Sequence, residues 1–436
     1  MSQLSHLYDI FLEYNNVITD SRQAGKGLIF LALKGDNFDG NIFAEDALAK
    51  GCPVAVVDNP ELKAKQGMFY VEDVLNTLQE LAAYHRQKLG IPIIGITGTN
   101  GKTTTKELIN AVLSSSYRVC ATKGNLNNHI GVPITILGMD NNTQIGIVEM
   151  GANHKGEIKH LCGIVKPDIG LITNIGKAHL DGFGGKEGVI QAKKELYDAL
   201  NGSEKTIFFN GEDNLLAGLL TGSKAIIKEY GESLNSLCRV DIMETSPTIE
   251  CSWSGNRFTT NLAGVCNKTN IEAACALGLY FGLDKSVCMS AISGYKPTNN
   301  RSQWLRTDNN YILCDYYNAN PSSMEITVKS FLEQSVEKGL KKQIILGDMF
   351  ELGAAAAEEH SYILDLLAPY SDVETLVVGD NFYNLSKHNT EKFAGINFYP
   401  NMESLCLKLA DNRITGRQIL IKASRGMHME KLICFL

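Results

Sequence analysis

The sequence lacks the features that mark several classes of protein. No apolar run approaches the ~20 residues of a membrane span, and residues 91–96 form only a short one. The first 15 residues carry acidic and polar side chains, so we expect no secretory signal peptide. A net charge of -7 leaves no excess of basic residues for a broad nucleic-acid surface. We therefore expect a cytoplasmic protein that binds neither membranes nor nucleic acid.

Metal and disulfide patterns are also missing. The 11 cysteines are odd in number and scattered, with no CxxC pair, and the nine histidines show no HxxxH spacing. This predicts reduced, mostly buried thiols rather than a disulfide framework or a zinc site. There is no tandem repeat and no low-complexity tract. The composition, 44% hydrophobic and 20% charged, is that of an ordinary globular protein.

Strand-like and helix-like stretches alternate along the chain, which predicts an α/β fold with mostly parallel sheets. We predict three domains: a small α/β N-terminal domain over residues 1–88, a central P-loop ATPase domain with a parallel sheet over 89–299, and a C-terminal Rossmann-like α/β domain over 300–436. Turn residues at 294–300 mark the second boundary. Residues 238–262 predict a β-meander late in the central domain.

The individual elements follow from apolar periodicity. The predicted strands lie at residues 28–33, 54–57, 91–97, 145–149, 169–173, 206–209, 311–315, 343–346, 375–378 and 418–422. The predicted helices lie at residues 42–50, 74–89, 102–115 and 188–200.

The strongest motif is a glycine loop between a predicted strand and a predicted helix. Its sequence is GTNGKTT, and Gly98 and Gly101 let backbone N–H groups approach phosphates closely. Lys102 would reach the β- and γ-phosphates, and the Thr103 hydroxyl would bind Mg²⁺. The standard P-loop has glycine where this chain has Ile96. The alternative is a glycine-rich turn without a ligand.

Four further polar positions have both a functional and a structural interpretation. Glu149 ends a predicted strand beside the loop, where it could bind Mg²⁺ or be a solvated acid. His179 is a lone histidine, which is more often structural. Lys193 lies on an amphipathic helix, where a lysine normally faces solvent. Asp315 ends a strand before a turn whose Asn and Pro residues are ordinary turn formers.

Taken together, the motifs resemble the Mur ligase family, whose members activate a carboxylate with ATP and couple it to an amino compound. The resemblance covers essentially the whole chain, in the family's order: GTNGKTT (98–104), GNLNNHIGVP (124–133), VEMGAN (148–153), TNIGKAHLDGFG (173–184), AKKEL (192–196), DYYNANPSSM (315–324), LGDMFELG (346–353) and KASRGMHME (422–430). The family's ATP loop shares this departure from the standard P-loop. The Tyr-Asn-Ala-Asn-Pro turn is typical of the branch that adds D-alanyl-D-alanine, since sister ligases usually carry an Ala-His motif there.

The resemblance implies an ATP-dependent ligase that adds D-alanyl-D-alanine to UDP-N-acetylmuramoyl-tripeptide through an acyl phosphate. This is the final cytoplasmic step in making the peptidoglycan UDP-MurNAc-pentapeptide precursor. The resemblance also implies ATP, two Mg²⁺ sites, a carbamylated Lys193 and a monomer. One alternative is a sister Mur ligase or muropeptide-recycling ligase with another amine, and a second is a P-loop nucleotide switch or binding module. Whether the tripeptide ends in diaminopimelate or lysine stays open.

The resemblance also implies roles for individual residues. The implied catalytic residues are Lys102, Lys193, His179 and Glu149, and the implied metal ligands are Thr103, Glu149, His179 and Lys193. The implied nucleotide-binding residues are Gly98, Thr99, Asn100, Gly101, Lys102, Thr103, Thr104, Asn267, Asn270, Arg301 and Asp315. The implied substrate-binding residues are Ser21, Arg22, Asn127, Asn128, Asn318, Asn320, Ser424 and Arg425.

Three positions depart from the family pattern. Cys266 stands where the family often has His beside Asn267, and Asn41 stands where a His is frequent. Cys314 replaces a common acid before Asp315. These departures concern the adenine and uracil contacts, not the phosphate site.

Overall fold

The computed structural model describes residues 2–177, 180–387, 393 and 395–436. The first region contains these elements in chain order: α1 (Gln3–Tyr14), β1 (Val17–Ile18), β2 (Ile29–Leu31), β3 (Lys34–Gly35), β4 (Phe38–Asp39), α2 (Ala44–Ala49), β5 (Ala55–Val57), β6 (Met68–Tyr70) and α3 (Val74–Leu89). A parallel sheet has the order β1-β2-β5-β6, and β3 and β4 form a separate hairpin. The two predicted strands are confirmed as β2 and β5.

Helix α3 connects the first region to the second. It begins after Asp73, whose side chain accepts a hydrogen bond from the Asn76 N–H, and ends at Gly90 with φ of 62°. A side-chain cap and a left-handed glycine are the usual signals for the two ends of a helix. The predicted bounds of 74–89 are therefore confirmed. The helix packs against two helices of the central region, at residues 131–137 and 157–165.

The central region contains β7 (Ile93–Thr97), α4 (Lys102–Leu113), β8 (Val119–Ala121), α5 (Gly131–Leu137), β9 (Ile145–Glu149), α6 (Glu157–Val165), β10 (Ile169–Ile172), α7 (Leu180–Phe183), α8 (Lys186–Ala199), β11 (Thr206–Asn210), α9 (Asn214–Leu219), β12 (Ile226–Tyr230), β13 (Asp241–Glu244), β14 (Glu250–Trp253), β15 (Asn256–Thr259), α10 (Asn267–Tyr280) and α11 (Lys285–Gly294). Six parallel strands have the order β12-β11-β10-β7-β9-β8. After β7, the chain forms β8 and β9 on one side of β7 in the strand order, and then β10 on the opposite side of β7. Ligands bind at such a switch point, outside the carboxyl ends of the strands. The predicted meander is confirmed as the antiparallel sheet β13-β14-β15.

The third region contains β16 (Gln303–Arg306), β17 (Asn310–Cys314), α12 (Pro321–Glu333), β18 (Lys341–Gly347), α13 (Ala356–Leu367), β19 (Glu374–Val378), α14 (Asp380–Ser386), β20 (Ile396–Tyr399), α15 (Met402–Asp411) and β21 (Arg417–Lys422). Its sheet has the order β16-β17-β21-β18-β19-β20 and is parallel except for the edge strand β16. The four predicted strands are confirmed as β17, β18, β19 and β21. The α/β fold is confirmed, and the domain boundaries at 88/89 and 299/300 stay a prediction.

No helix within the described ranges is both long enough and apolar enough to cross a membrane.

Candidate active site

A cavity of about 1270 Å³ opens beyond the carboxyl ends of β7, β9 and β10. All three regions line it. The first region contributes Leu75 and Gln79 from α3, and the third contributes Asp315 and Tyr317 from the end of β17. Every residue predicted to bind the nucleotide lines this cavity: Gly98, Thr99, Asn100, Gly101, Lys102, Thr103, Thr104, Asn267, Asn270, Arg301 and Asp315.

The glycine loop joins β7 to α4 and depends on two glycines. Gly98 has φ of 146°, and a Cβ there would lie 2.0 Å from the Thr173 hydroxyl oxygen. Gly101 has φ of 78° and is the residue before α4. No side chain in the described part of the chain caps that helix, so its first-turn N–H groups are available to an anion. Ile96 is fully buried in β7, and the loop therefore begins at Gly98.

Lys102 folds back onto this loop. Its ammonium donates hydrogen bonds of 2.7 Å to the Gly98 carbonyl and 2.9 Å to the Thr99 carbonyl. Burial lowers the pKa of Lys102 to about 8, with Glu149 opposing the shift and Arg301 adding to it. A carbonyl-bound ammonium beside a helix start can exchange these partners for phosphate oxygens.

Glu149 ends β9 and is 1% exposed, so the alternative of a solvated acid is wrong. Its N–H donates to the Thr122 hydroxyl at 3.0 Å, and its Oε1 accepts from Asn127 Nδ2 at 2.9 Å. Its Oε2 is buried and has no hydrogen-bond partner in the described structure. A buried carboxylate oxygen without a partner is costly unless a ligand or cation completes it.

Lys193 lies on α8 and is only 3% exposed, which overturns the expectation that it faces solvent. Its ammonium lies 5.3 Å from the ring centroid of Phe183, and the residue lines the cavity. Burial, with the nearby charge of Lys102, lowers the pKa of Lys193 to about 7. The adjacent Lys194 points away and pairs with Asp198. Of the two lysines, Lys193 is therefore the one at the cavity.

Asn267 and Asn270 begin α10 and fix that helix to the loop. Asn267 Nδ2 donates to the Ala263 carbonyl at 2.7 Å, and Asn270 Nδ2 donates to Asn267 Oδ1 at 2.9 Å. Asn270 Oδ1 accepts from the Thr105 hydroxyl at 2.9 Å. This chain of bonds ties α10 to α4 beside Gly101, with both asparagines on the cavity wall.

The third region contributes a charged wall at the end of β17. Asp315 Oδ2 pairs with Lys422 Nζ at 2.5 Å, and Asp315 Oδ1 accepts from the Ser302 N–H at 3.0 Å. The Arg301 guanidinium carbon lies 3.8 Å from the ring centroid of Tyr317. Charges of both signs from the third region therefore reach the cavity that contains the glycine loop.

The sequence matches the Mur ligase middle domain over residues 96–278 and the catalytic domain of the Mur ligase family over residues 13–86. It is 34% identical over 427 residues to the UDP-N-acetylmuramoyl-tripeptide--D-alanyl-D-alanine ligase of Bacillus subtilis, covering 96% of this chain and 92% of that protein. The chain belongs to the Mur ligase family. The resemblance seen in the sequence is thereby confirmed.

Solved structures agree with this membership. A crystal structure of MurF from Acinetobacter baumannii matches with a TM-score of 0.84 and 30% identity, over 96% of this chain and 92% of that one. The MurF ligase of Thermotoga maritima in complex with ADP matches with a TM-score of 0.80 and 25% identity, over 96% of both chains.

The asparagines predicted to bind substrate in this Mur ligase have varied surroundings. Asn128 Oδ1 accepts from the Gly131 N–H at 2.8 Å and so supports the start of α5. Asn318 is exposed on the cavity wall. Asn320 caps α12 through its Oδ1, while its Nδ2 donates to Asn100 Oδ1 at 2.8 Å. That last bond joins the third region directly to the glycine loop.

Four predicted substrate residues do not line the cavity. Ser21 and Arg22 lie on a short 3₁₀ turn, and Arg22 pairs with Asp20 at 2.7 Å. Ser424 is buried, and its hydroxyl accepts a backbone hydrogen bond of 2.9 Å. Arg425 is exposed, and its guanidinium carbon lies 5.8 Å from the ring centroid of Tyr317. Their roles stay predictions.

The metal prediction rests on fewer residues than the resemblance implied. His179 lies outside the described residues. Among the residues that are described, no group of three or more His, Cys, Asp and Glu side chains is arranged to hold a metal ion. Thr103, Glu149 and Lys193 remain, and all three line the cavity.

The three positions that depart from the family pattern have different surroundings. Asn41 is buried, and its Oδ1 accepts from the Asp58 N–H at 3.1 Å while its Nδ2 donates to Asp39 Oδ1 at 2.7 Å. Cys314 is buried in the core at the end of β17. Cys266 precedes α10 and lines the cavity.

Sequence reasoning missed several polar residues of the site, including Asn174 and Lys422. Asn174 Oδ1 accepts from the Asn100 N–H at 3.0 Å, and its Nδ2 donates to the Asn100 carbonyl at 3.0 Å. Lys422 pairs with Asp315. Asn174 follows β10 and Lys422 ends β21, so a search for polar residues at strand ends would have found both.

Proposed function

We propose that this Mur ligase uses ATP to join D-alanyl-D-alanine to UDP-N-acetylmuramoyl-tripeptide in the cytoplasm. The observation that carries the proposal is one cavity lined by Lys102, by Glu149 and by the third-region Arg301. The Glu149 Oε2 atom is buried and has no hydrogen-bond partner in the described structure. The UDP-N-acetylmuramoyl-tripeptide--D-alanyl-D-alanine ligase of Bacillus subtilis is 34% identical to this chain over nearly its full length. The ADP complex of the similar Thermotoga maritima ligase supports ATP as the nucleotide.

A carboxylate is a poor acyl donor until it is phosphorylated, which is why ATP is needed. The tripeptide carboxylate oxygen attacks the γ-phosphorus, and the bond to the β-phosphate oxygen breaks to release ADP. The D-alanyl-D-alanine amine then attacks the acyl carbon, loses a proton and expels inorganic phosphate. Lys102 and the first-turn N–H groups of α4 bind the phosphates and spread the developing charge. Residues of three regions around the cavity exclude water from the acyl phosphate.

The loop and Glu149 fit a bound Mg²⁺. The partnerless Glu149 Oε2 and the Thr103 hydroxyl are the oxygen ligands that this ion prefers. When bound, Mg²⁺ neutralises charge on the phosphate oxygens. We also propose that a second Mg²⁺ binds in the cavity and that Lys193 carries a carbamate. A carbamate would turn this buried cation into an anionic oxygen ligand at the cavity.

We also propose that the three sheets belong to three domains, divided at residues 88/89 and 299/300, and that the chain acts as a monomer. The first region would bind the uridine nucleotide through Ser21, Arg22 and the loop at 34–40. Its β3–β4 hairpin carries Lys34, which pairs with Asp58 at 2.8 Å.

The test is phosphate release from ATP by the full chain with Mg²⁺ and UDP-MurNAc-tripeptide, with and without D-alanyl-D-alanine, with the product identified by mass. Release that requires both substrates, with the tripeptide nucleotide gaining one dipeptide, supports the proposal. Release with the nucleotide and a different amine would instead indicate a sister ligase. ATP hydrolysis indifferent to both would indicate a nucleotide switch. A parallel assay with diaminopimelate and lysine tripeptides identifies the third residue.

A further inference from the structure

A strained turn at residues 299–302 presents Arg301 to the cavity. Asn299, Asn300 and Ser302 have φ angles of 62°, 56° and 48°, and none of them is glycine. Residues with side chains rarely adopt this left-handed conformation, and a cluster of them persists only where the surrounding structure fixes it. Arg301 lies in the middle of this cluster.

Hydrogen bonds to the end of β17 fix the turn on both sides of Arg301. The Tyr317 N–H donates to the Asn300 carbonyl at 3.2 Å. The Ser302 N–H donates to Asp315 Oδ1 at 3.0 Å, and the same carboxylate is paired with Lys422. The backbone around Arg301 is therefore anchored to one strand end.

The side chain of Arg301 lies against one aromatic ring. Its guanidinium carbon is 3.8 Å from the ring centroid of Tyr317, and that of Arg425 is 5.8 Å from the same centroid. Arg301 Nε is buried and has no hydrogen-bond partner in the described structure. Arg301 and Tyr317 both line the cavity. A buried donor at a cavity, without a protein acceptor, points to an acceptor supplied by a ligand.

We propose that Tyr317 is a positioning residue, whose ring holds the Arg301 guanidinium ready for a phosphate group of the nucleotide. Stacking on an aromatic face uses the flat side of a guanidinium and leaves its in-plane N–H donors free for two parallel bonds to phosphate. Arg425, near the same ring, adds positive charge without reaching the cavity wall. The proposal rests on the proposed function only in that the cavity binds ATP.

The experiment measures ADP binding to the full chain by titration calorimetry, without tripeptide or amine. Tyr317→Leu removes the ring face and is expected to weaken ADP binding by about tenfold, an effect between those of an exposed and a fully desolvated cation–π contact. Tyr317→Phe keeps the face and retains most of the affinity. In an Arg301→Met background, Tyr317→Leu causes no further loss, because its effect passes through Arg301.

Tyr311→Leu is the matched control. The Arg306 guanidinium carbon lies 4.6 Å from the Tyr311 ring centroid in the same region, and neither residue lines the cavity. Breaking that pair leaves ADP affinity unchanged. Phenylalanines with increasing numbers of ring fluorines at position 317 keep the shape and weaken the ring's attraction for a cation, so ADP affinity should fall stepwise. This series tests the proposal even if the Tyr317→Leu variant does not fold.

Three results would overturn the proposal: equal ADP affinity for Tyr317→Leu and wild type, equal losses for Tyr317→Leu and Tyr317→Phe, or a fluorine series without a trend. Wild-type chain that binds no ADP would overturn the proposed function as well. ADP binding that is normal in every Tyr317 variant would remove this inference alone.

Discussion

Two sets of charged residues line one cavity and differ in their partners: Lys102, Glu149 and Lys193 from the central region, and Asp315 and Lys422 from the third. In the central region, Lys102, Glu149 and Lys193 make no ion pair within 4 Å among the described residues, although the last two are almost completely buried. In the third region, Asp315 and the buried Lys422 form an ion pair of 2.5 Å.

We interpret the unpaired charges as residues that bind a ligand and the paired charges as residues that stabilise the fold. An unpaired buried charge is unfavourable and persists where function requires it. A buried pair with further hydrogen bonds holds its surroundings in place, and removing one partner leaves the other uncompensated. We therefore expect substitutions of Lys102, Glu149 or Lys193 to reduce turnover and those in the Asp315–Lys422 pair to reduce stability.

The largest expected effect is that of Lys102→Ala. It removes the ammonium beside the phosphate-binding loop, and turnover should fall by about 10³-fold. Steady-state phosphate release measures the loss, with the exposed Lys338→Ala as the control. Near-normal turnover in Lys102→Ala would contradict the assignment of the loop.

Breaking the third-region pair should act on stability instead. Asp315→Asn leaves the buried Lys422 ammonium without its partner, and Lys422→Met does the same to the partly buried Asp315 carboxylate. Each should lower the free energy of unfolding by about 3 kcal/mol. The double variant should lose less than the sum, because neither charge remains. Urea titrations of the four proteins measure the coupling, and additive losses would show that the pair is not a unit.

Lys193→Ala tests the carbamate hypothesis. Turnover should fall by about a hundredfold, and short-chain carboxylates should restore part of it by supplying the missing oxygen ligand. The control is Lys194→Ala, which changes the neighbouring lysine that pairs with Asp198. If activity does not depend on Lys193, the carbamate hypothesis is wrong.

The smallest expected effect concerns the hydrogen bond from Asn320 to Asn100, which joins the third region to the glycine loop. Asn320→Ser keeps the side-chain acceptor that caps α12 but loses the donor to Asn100, so kcat/KM for ATP should fall by about fivefold. Asn401→Ser is the matched control, because Asn401 caps α15 with the same capping box. Equal kinetic effects of the two substitutions would mean that helix capping, not the Asn100 contact, is responsible.

The sequence predicts elements with strong local signals and misses those that depend on distant partners. The predicted bounds of β9 and α3 match the observed ones at both ends, because the apolar pattern of β9 and the caps of α3 are local. The missed strand β1 has only two residues, and the edge strand β16 reads Gln-Trp-Leu-Arg, without a continuous apolar run like those at residues 28–33 and 54–57.

The site shows the same limit. The glycine loop is contiguous, so its placement at the cavity followed from the motif. The Asp315–Lys422 pair joins residues 107 positions apart, and no local pattern links them. Of Lys193 and Lys194, only one can face inward, and family spacing rather than periodicity favoured Lys193. Only the packed structure shows that Lys193 is buried.

The most direct measurement compares stability with turnover in Glu149→Gln. This change keeps the shape of the side chain and removes the buried charge whose Oε2 has no partner. We predict a free energy of unfolding, without nucleotide, within about 1 kcal/mol of wild type or above it. Turnover should fall by about a hundredfold or more. A strongly destabilised variant that keeps wild-type turnover when folded would show that Glu149 serves the fold. That result would contradict the claim that the unpaired charges of the central region are kept for a ligand.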